Sequence, residues 1–254
     1  MRKILFPFLL LLTILLAVWL RFEEQKIIVS PKAFPRIDKA LVKKMGPPEP
    51  VEPVGEKIVY TVKLGKVSLG AAYYTHLPKT ELHGTMVSLM TFETRLVRFR
   101  DREAIYSDSR SFFPLKVERS ISTWPNPENI SEEYDQKNFT LTIVKKKGKT
   151  TQTQVIKKDG PIQNAILLPF SVRRMDGLSV GWSMRANLPN QQFEITLASI
   201  EDVKVPAGTF KAYHFTSVPE RFEIWISADE RKIPLKIMGA GALGYTLLMK
   251  EYSR

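Results

Sequence analysis

The sequence predicts a mainly β protein: a curled antiparallel sheet, a half-open barrel, around one inserted helix, preceded by an N-terminal transmembrane helix. Three observations carry this. From Gly55 onward apolar and polar residues alternate in run after run, the period of strands with one buried and one wet face. One stretch near the middle, Ile162 to Arg173, breaks that alternation. The chain also opens with Ile4 to Leu20, 17 residues without a charge.

The apolar opening would make a helix about 26 Å long, at the lower limit for spanning a bilayer. Pro7 falls near its start, where proline costs least. Arg2 and Lys3 hold the N-terminus inside, Trp19 and Arg21 suit the far interface, and Glu23 and Glu24 follow beyond it. A cleaved signal peptide is the alternative. It calls for small residues before the cut, and Ala17-Val18-Trp19-Leu20 offers no such site. Residues 1–21 therefore read as an uncleaved signal anchor. Residues 22–54 read as a tether, punctuated by prolines and ending in GPPEPVEPV, which favours stiff, extended polyproline conformations. Residues 55–254 make up one β-rich domain, expected to be exported.

Within that domain Ile58, Tyr60, Val62 and Leu64 share one face, and after a turn at Gly65-Lys66 the same pattern runs through Val67, Leu69, Ala71 and Tyr73. Leu115, Val117 and Ile121, then Phe193, Ile195 and Leu197, then Phe222, Ile224 and Ile226 repeat it. Asn138, Gly148, Gly160, Pro189-Asn190 and Gly208 supply turns. After Asp159-Gly160-Pro161, helical spacing at Ile162, Ala165 and Ile166 predicts a helix that Pro169 kinks or ends. A sheet of this length with an apolar face has to cover it, by closing, by curling round the helix or by pairing with a second sheet.

Composition narrows the chemistry. The chain has no cysteine, so disulfides, thiolate metal sites and a cysteine nucleophile are excluded. Its net charge of +12 suits solubility, anionic lipid or nucleic acid. The run Lys145-Lys146-Lys147 before Gly148 reads as a solvated hairpin tip.

Candidate sites are sparse. Asp229, Glu230 and Arg231 follow the strand FEIWIS. Adjacent carboxylates in a turn point apart and stay hydrated, so they read as a hairpin turn rather than an acid–base pair. Trp225 faces opposite Ile224 and Ile226 and needs cover on an otherwise wet face. His76 and His83 flank one hairpin without a nearby carboxylate, too little for a metal site. Pro206-Ala207-Gly208-Thr209 fits a tight turn. GAGALG, residues 239–244, matches a dinucleotide fingerprint in letters only, because no helix follows it.

GEKIVYTVKLGKVSLGAA (Gly55 to Ala72), VPAGTFKAYHF (Val205 to Phe215), IWISADERKIPLK (Ile224 to Lys236) and the helical stretch ending at Arg173 together resemble a bacterial envelope family, domain of unknown function 3108. The resemblance spans the whole 55–254 domain. It implies a protein of the cell envelope with a half-barrel similar to lipoprotein-carrier domains, and it implies no activity. The expectation is a single-pass protein of the bacterial inner membrane, held by residues 4–20, with its domain in the periplasm. The domain would be non-catalytic and without a cofactor or metal. It would bind a lipid or other apolar ligand, such as a lipoprotein acyl chain, in a cavity lined by Tyr60, Leu69, Tyr73, Ile166, Leu167, Phe193, Phe222, Ile224 and Trp225. The alternative is an assembly module with a solid core that docks another envelope protein. Nucleic acid is not an expected partner of an exported domain.

Overall fold

Alternation builds strands, and the strands build one sheet. The chain runs β1 (Lys57–Leu64), β2 (Val67–Leu82), β3 (Thr85–Leu96), β4 (Phe99–Ser107), β5 (Pro114–Thr123), β6 (Glu128–Asp135), β7 (Thr140–Lys147) and β8 (Thr150–Lys157). A short helix, α1 (Leu168–Val172), comes next. Then follow β9 (Ser183–Asn187), β10 (Gln192–Val205), β11 (Gly208–Val218), β12 (Phe222–Ser227), β13 (Pro234–Gly239) and β14 (Tyr245–Ser253). The structure, a computed structural model, describes residues 53–123, 127–239 and 244–254. The expected anchor and all but the last two residues of the expected tether lie outside them. No helix among the described residues is long and apolar enough to cross a membrane.

All fourteen strands join one antiparallel sheet in the order β8 to β1, then β14 to β9. Sequence neighbours pair throughout, except that β8 and β9 do not; β1 pairs with β14 and so brings the two ends of the domain together. The sheet is therefore open between β8 and β9. Glu49–Arg254 form a compact unit that contains every described strand and both hydrophobic clusters, so this stretch carries its own core.

Hydrogen bonds across the open side show that the sheet curls. Eleven strand spacings would place β6 about 50 Å from β9 in a flat sheet. Yet Gln136, in the turn after β6, bonds both the N–H and the C=O of Ile162, and the next residue, Gln163, exchanges bonds with Asn187 at the end of β9. The segment between β8 and β9 thus straps the open side.

That strap displaces the expected helix. Residues 161–163 form no helix, because their backbone groups are taken by Gln136 and by Asn187, which also bonds the carbonyls of Gly160 and Pro161. The helix begins where it was expected to end: Pro169 lies in its first turn, where a missing N–H costs nothing. Asn164 Oδ1 accepts the N–H groups of Ile166 and Leu167 ahead of it. The helix is only five residues long, so the described residues hold almost no helix.

A second departure lies in β2. A bulge opposite Val62 and Lys63 leaves Leu69 without a partner. Past it, Ala72 and Tyr74 stand opposite Tyr60 and Ile58 and are buried with them, whereas Leu69, Ala71 and Tyr73 are only half-buried. The face that alternation assigns to β2 is reversed by this one extra residue. Gly70 permits the local geometry: a Cβ there would lie 2.1 Å from the Arg95 carbonyl oxygen.

One buried ion pair fixes the inner segment to the sheet. Arg173, just after α1, donates both guanidinium nitrogens to Glu56 at 2.8–3.0 Å and also bonds the Arg231 carbonyl at 2.7 Å. Glu56 is fully buried. Truncation of one partner leaves a buried charge uncompensated, so Arg173→Met is expected to cost about 3–5 kcal/mol in urea unfolding. Gly70→Ala is expected to destabilise by at least about 2 kcal/mol, since the contact is with backbone and cannot swing away.

Candidate functional site

Side chains of the protein itself fill the space around α1. Phe170 stacks on Tyr74 with ring centroids 3.9 Å apart, and the buried Tyr60 hydroxyl donates to the Pro234 carbonyl at 3.0 Å. Of the nine residues expected to line a cavity, Tyr60, Leu167 and Trp225 belong to one hydrophobic cluster, with Ile166 packed against it. Phe193 and Ile224 belong to a second, with Phe222 against it. Leu69 and Tyr73 sit apart from Tyr60, on the other side of β2, and the Arg95 guanidinium lies 4.8 Å from the Tyr73 ring.

Trp225 finds its cover locally. It lies opposite His214 on β11 and Lys236 on β13. The His214 ring stacks on it at 4.2 Å, the Lys236 ammonium sits 3.9 Å from its ring centre, and its indole N–H donates to Glu201 at 2.8 Å. His214 in turn contacts Glu223 at 2.6 Å, and the Ser199 hydroxyl donates to Glu201. Partial burial lowers the Lys236 pKa, while bonds from Trp225 and Ser199 lower that of Glu201. This network satisfies itself, as a packed polar surface does.

The inner face of β4 to β6 carries charge. Glu103 stands opposite Phe92 on β3 and Arg119 on β5, and Glu132 stands opposite Val117. Arg119 grips Asp101 through both ends of its guanidinium, with Nε to Oδ1 at 2.9 Å, and reaches Glu103 at 3.4 Å. Burial pushes the Glu103 carboxyl up to about 7; Arg119 opposes this, and Asp101 and Glu132 add to it. Burial also raises Glu132, whose carboxylate accepts the Tyr134 hydroxyl.

At the β3–β4 end lies a cleft of about 770 Å³ lined by Arg95, Leu96, Arg98, Phe99, Arg100 and Ser122. Leu96 and Phe99 pair directly across the hairpin, as do Arg95 and Arg100. Arg98, at φ 60°, makes the turn. Glu93 accepts from both Arg95 and Arg100 and is pulled down to about 2, chiefly by the Arg95 hydrogen bond. The lining of this cleft combines two apolar residues, Leu96 and Phe99, with three arginines, of which Arg95 and Arg100 are bonded to Glu93. Its signal in the sequence is RLVRFR, residues 95–100, in which cations and apolar residues interleave.

The remaining sequence features are structural. Asp229 accepts bonds from Ser227, Arg231 and the Lys232 N–H, closing the turn between β12 and β13. His76 is buried on the inner face, whereas His83 is exposed in the β2–β3 turn. No group of three or more potential metal-ligating residues is placed to hold an ion among the described residues. GAGALG falls mostly outside them.

A family described as "Protein of unknown function (DUF3108)" matches residues 59–247. No curated protein matches. Among solved structures, a β-barrel-like protein of domain of unknown function DUF1849 from Brucella abortus is 8% identical, with a TM-score of 0.48 over 79% of this chain and 97% of that one. A protein with a YmcC-like fold from Bacteroides fragilis is 11% identical, with a TM-score of 0.28 over 79% of this chain and 96% of that one.

The Glu103 shift has a defined sign. Its folded pKa of about 7 lies above the ordinary 4.5, so the native state holds a proton that the unfolded chain releases. The contribution of Glu103 to native stability therefore falls as pH rises from about 4.5 to 7 and is level beyond. Glu103→Gln is expected to be nearly neutral at the acid end and to gain stability relative to the natural protein as pH rises, by up to about 3 kcal/mol above neutrality. Urea unfolding of both proteins across this range checks it.

Proposed function

The chain belongs to the family of proteins of unknown function DUF3108, and we propose that it is a non-catalytic envelope module that binds an amphiphile with an anionic head. The cleft beside the β3–β4 turn carries this reading. Its volume lies within the range of small-molecule sites. Leu96 and Phe99 offer an apolar seat, and Arg95, Arg98 and Arg100 also line the cleft, a residue type suited to a phosphate or carboxylate. Arg98 is the member whose guanidinium Glu93 does not engage in the observed bonds.

This reading moves the apolar ligand from the interior to the end of the sheet, because the interior around α1 is occupied. Binding would draw on burial of the tail and on charge-assisted hydrogen bonds to the head, and it needs no cofactor. Residues 4–20 would hold the protein in the bacterial inner membrane, with the domain on the periplasmic side.

A second reading, a docking module for another envelope protein, has one observation in its favour. Edge strand β8 is exposed at every residue except Ile156 and uncharged from Thr150 to Ile156, as a strand open to pairing would be.

Titration of residues 49–254 with dodecyl phosphate below its micelle concentration distinguishes the two. Saturable binding is expected, with neutral dodecyl maltoside binding more weakly. Arg98→Glu is expected to weaken dodecyl phosphate by at least about tenfold and leave the neutral amphiphile unchanged. Equal binding of the two amphiphiles, or none of either, would leave the docking reading.

A further inference from the structure

The meander fixes which turns meet. In β1 to β8 each strand pairs with the next, so the β1–β2, β3–β4 and β7–β8 turns share one end of this half of the sheet. The β2–β3, β4–β5 and β6–β7 turns share the other. The two ends differ in charge. At the first, Lys66, Arg98, Lys146 and Lys149 are exposed, and Arg95, Arg100, Lys145 and Lys147 stand in the adjoining strand ends. The acids nearby are already engaged, Glu93 by Arg95 and Arg100, and Glu128 by Lys145 at 2.7 Å. At the second end, Asp108 and Asp135 close their own turns and Glu81 stands in the adjoining end of β2, so the cations Lys79, Arg110 and Lys137 are matched by as many acids.

Apolar tips accompany the cations. Val67 is 62% exposed and Val97 72% exposed, each next to a basic turn residue. Exposed valines beside basic residues suit a lipid interface, where apolar residues enter the acyl boundary while lysine and arginine hold anionic head groups; at the other end Met86 is 57% exposed. The chain also enters the domain through Pro53 to Glu56, next to the start of β1 and hence at the opposite end from Gly65-Lys66.

We propose that the β1–β2, β3–β4 and β7–β8 turns together form a face that docks on an anionic phospholipid surface. Docking of this face is separate from occupation of the cleft by one amphiphile. It uses Lys66, Lys146 and Lys149, none of which lines the cleft.

The test is co-sedimentation of residues 49–254, which lack the apolar N-terminal stretch, with phosphatidylcholine vesicles with and without about 30% phosphatidylglycerol. Binding is expected only to the anionic vesicles and is expected to fall with salt. Combined Lys66→Glu, Lys146→Glu and Lys149→Glu should weaken it by at least about tenfold, while Arg110→Glu with Lys137→Glu at the opposite end should leave it intact. Circular dichroism confirms folding of each. The proposal is overturned if anionic vesicles are not bound, if neutral vesicles bind equally, or if both sets of substitutions act alike. Retention on an immobilised acidic peptide without vesicle binding overturns it too and assigns the face to a protein. Dodecyl phosphate titration of the triple lysine variant keeps the two ideas apart: uptake should survive when vesicle binding is lost.

Discussion

An open sheet with an apolar inner face must be covered by something, and here the chain covers it with its own middle. β8 and β9 do not pair, yet the residues between them cross the gap and send Phe170 onto Tyr74 and Leu168 and Val172 into the second cluster. The buried Glu56–Arg173 pair ties this insert to the start of β1, and Gln136 and Asn187 tie it at its other end. Once that plug is seated, the helix side of the barrel is core.

The rest of the inner face is built differently. β4 to β6 place Asp101, Glu103, Arg119 and Glu132 inward, among Met90, Ile105 and Val117. Charges in such a place persist when geometry satisfies them. Arg119 meets this condition for Asp101 through a two-pronged contact, whereas Glu103 is held less closely and its proton affinity rises. The inner face thus grades from an apolar core near α1 to a charged region, and the hairpin ends beside that region carry the basic cleft.

Much of the architecture was legible because alternation is a direct record of burial. Ile58, Tyr60 and Val62, then Phe193, Ile195 and Leu197, then Ile224 and Ile226 are buried as their spacing indicates, and Trp225 faces the other way. The Asp229 turn was legible from its residue types. Three features were not. The bulge at Leu69 reverses the face of β2 without changing its composition. The plug takes its shape from partners far away in sequence, Gln136 and Asn187, so local helical spacing at Ile162 to Ile166 was outweighed. Inward charges in DREAIYS and SEEYD erase the contrast between faces that makes a strand readable. For the same reason the cleft, made of residues that look like surface, was not singled out.

The most direct measurement is a crystal structure of residues 49–254 with bound dodecyl phosphate. The account predicts the phosphate among Arg95, Arg98 and Arg100, the chain on Leu96 and Phe99, and α1 still packed on Tyr74. An alkyl chain lying between α1 and the sheet, with Phe170 displaced from Tyr74, would contradict it.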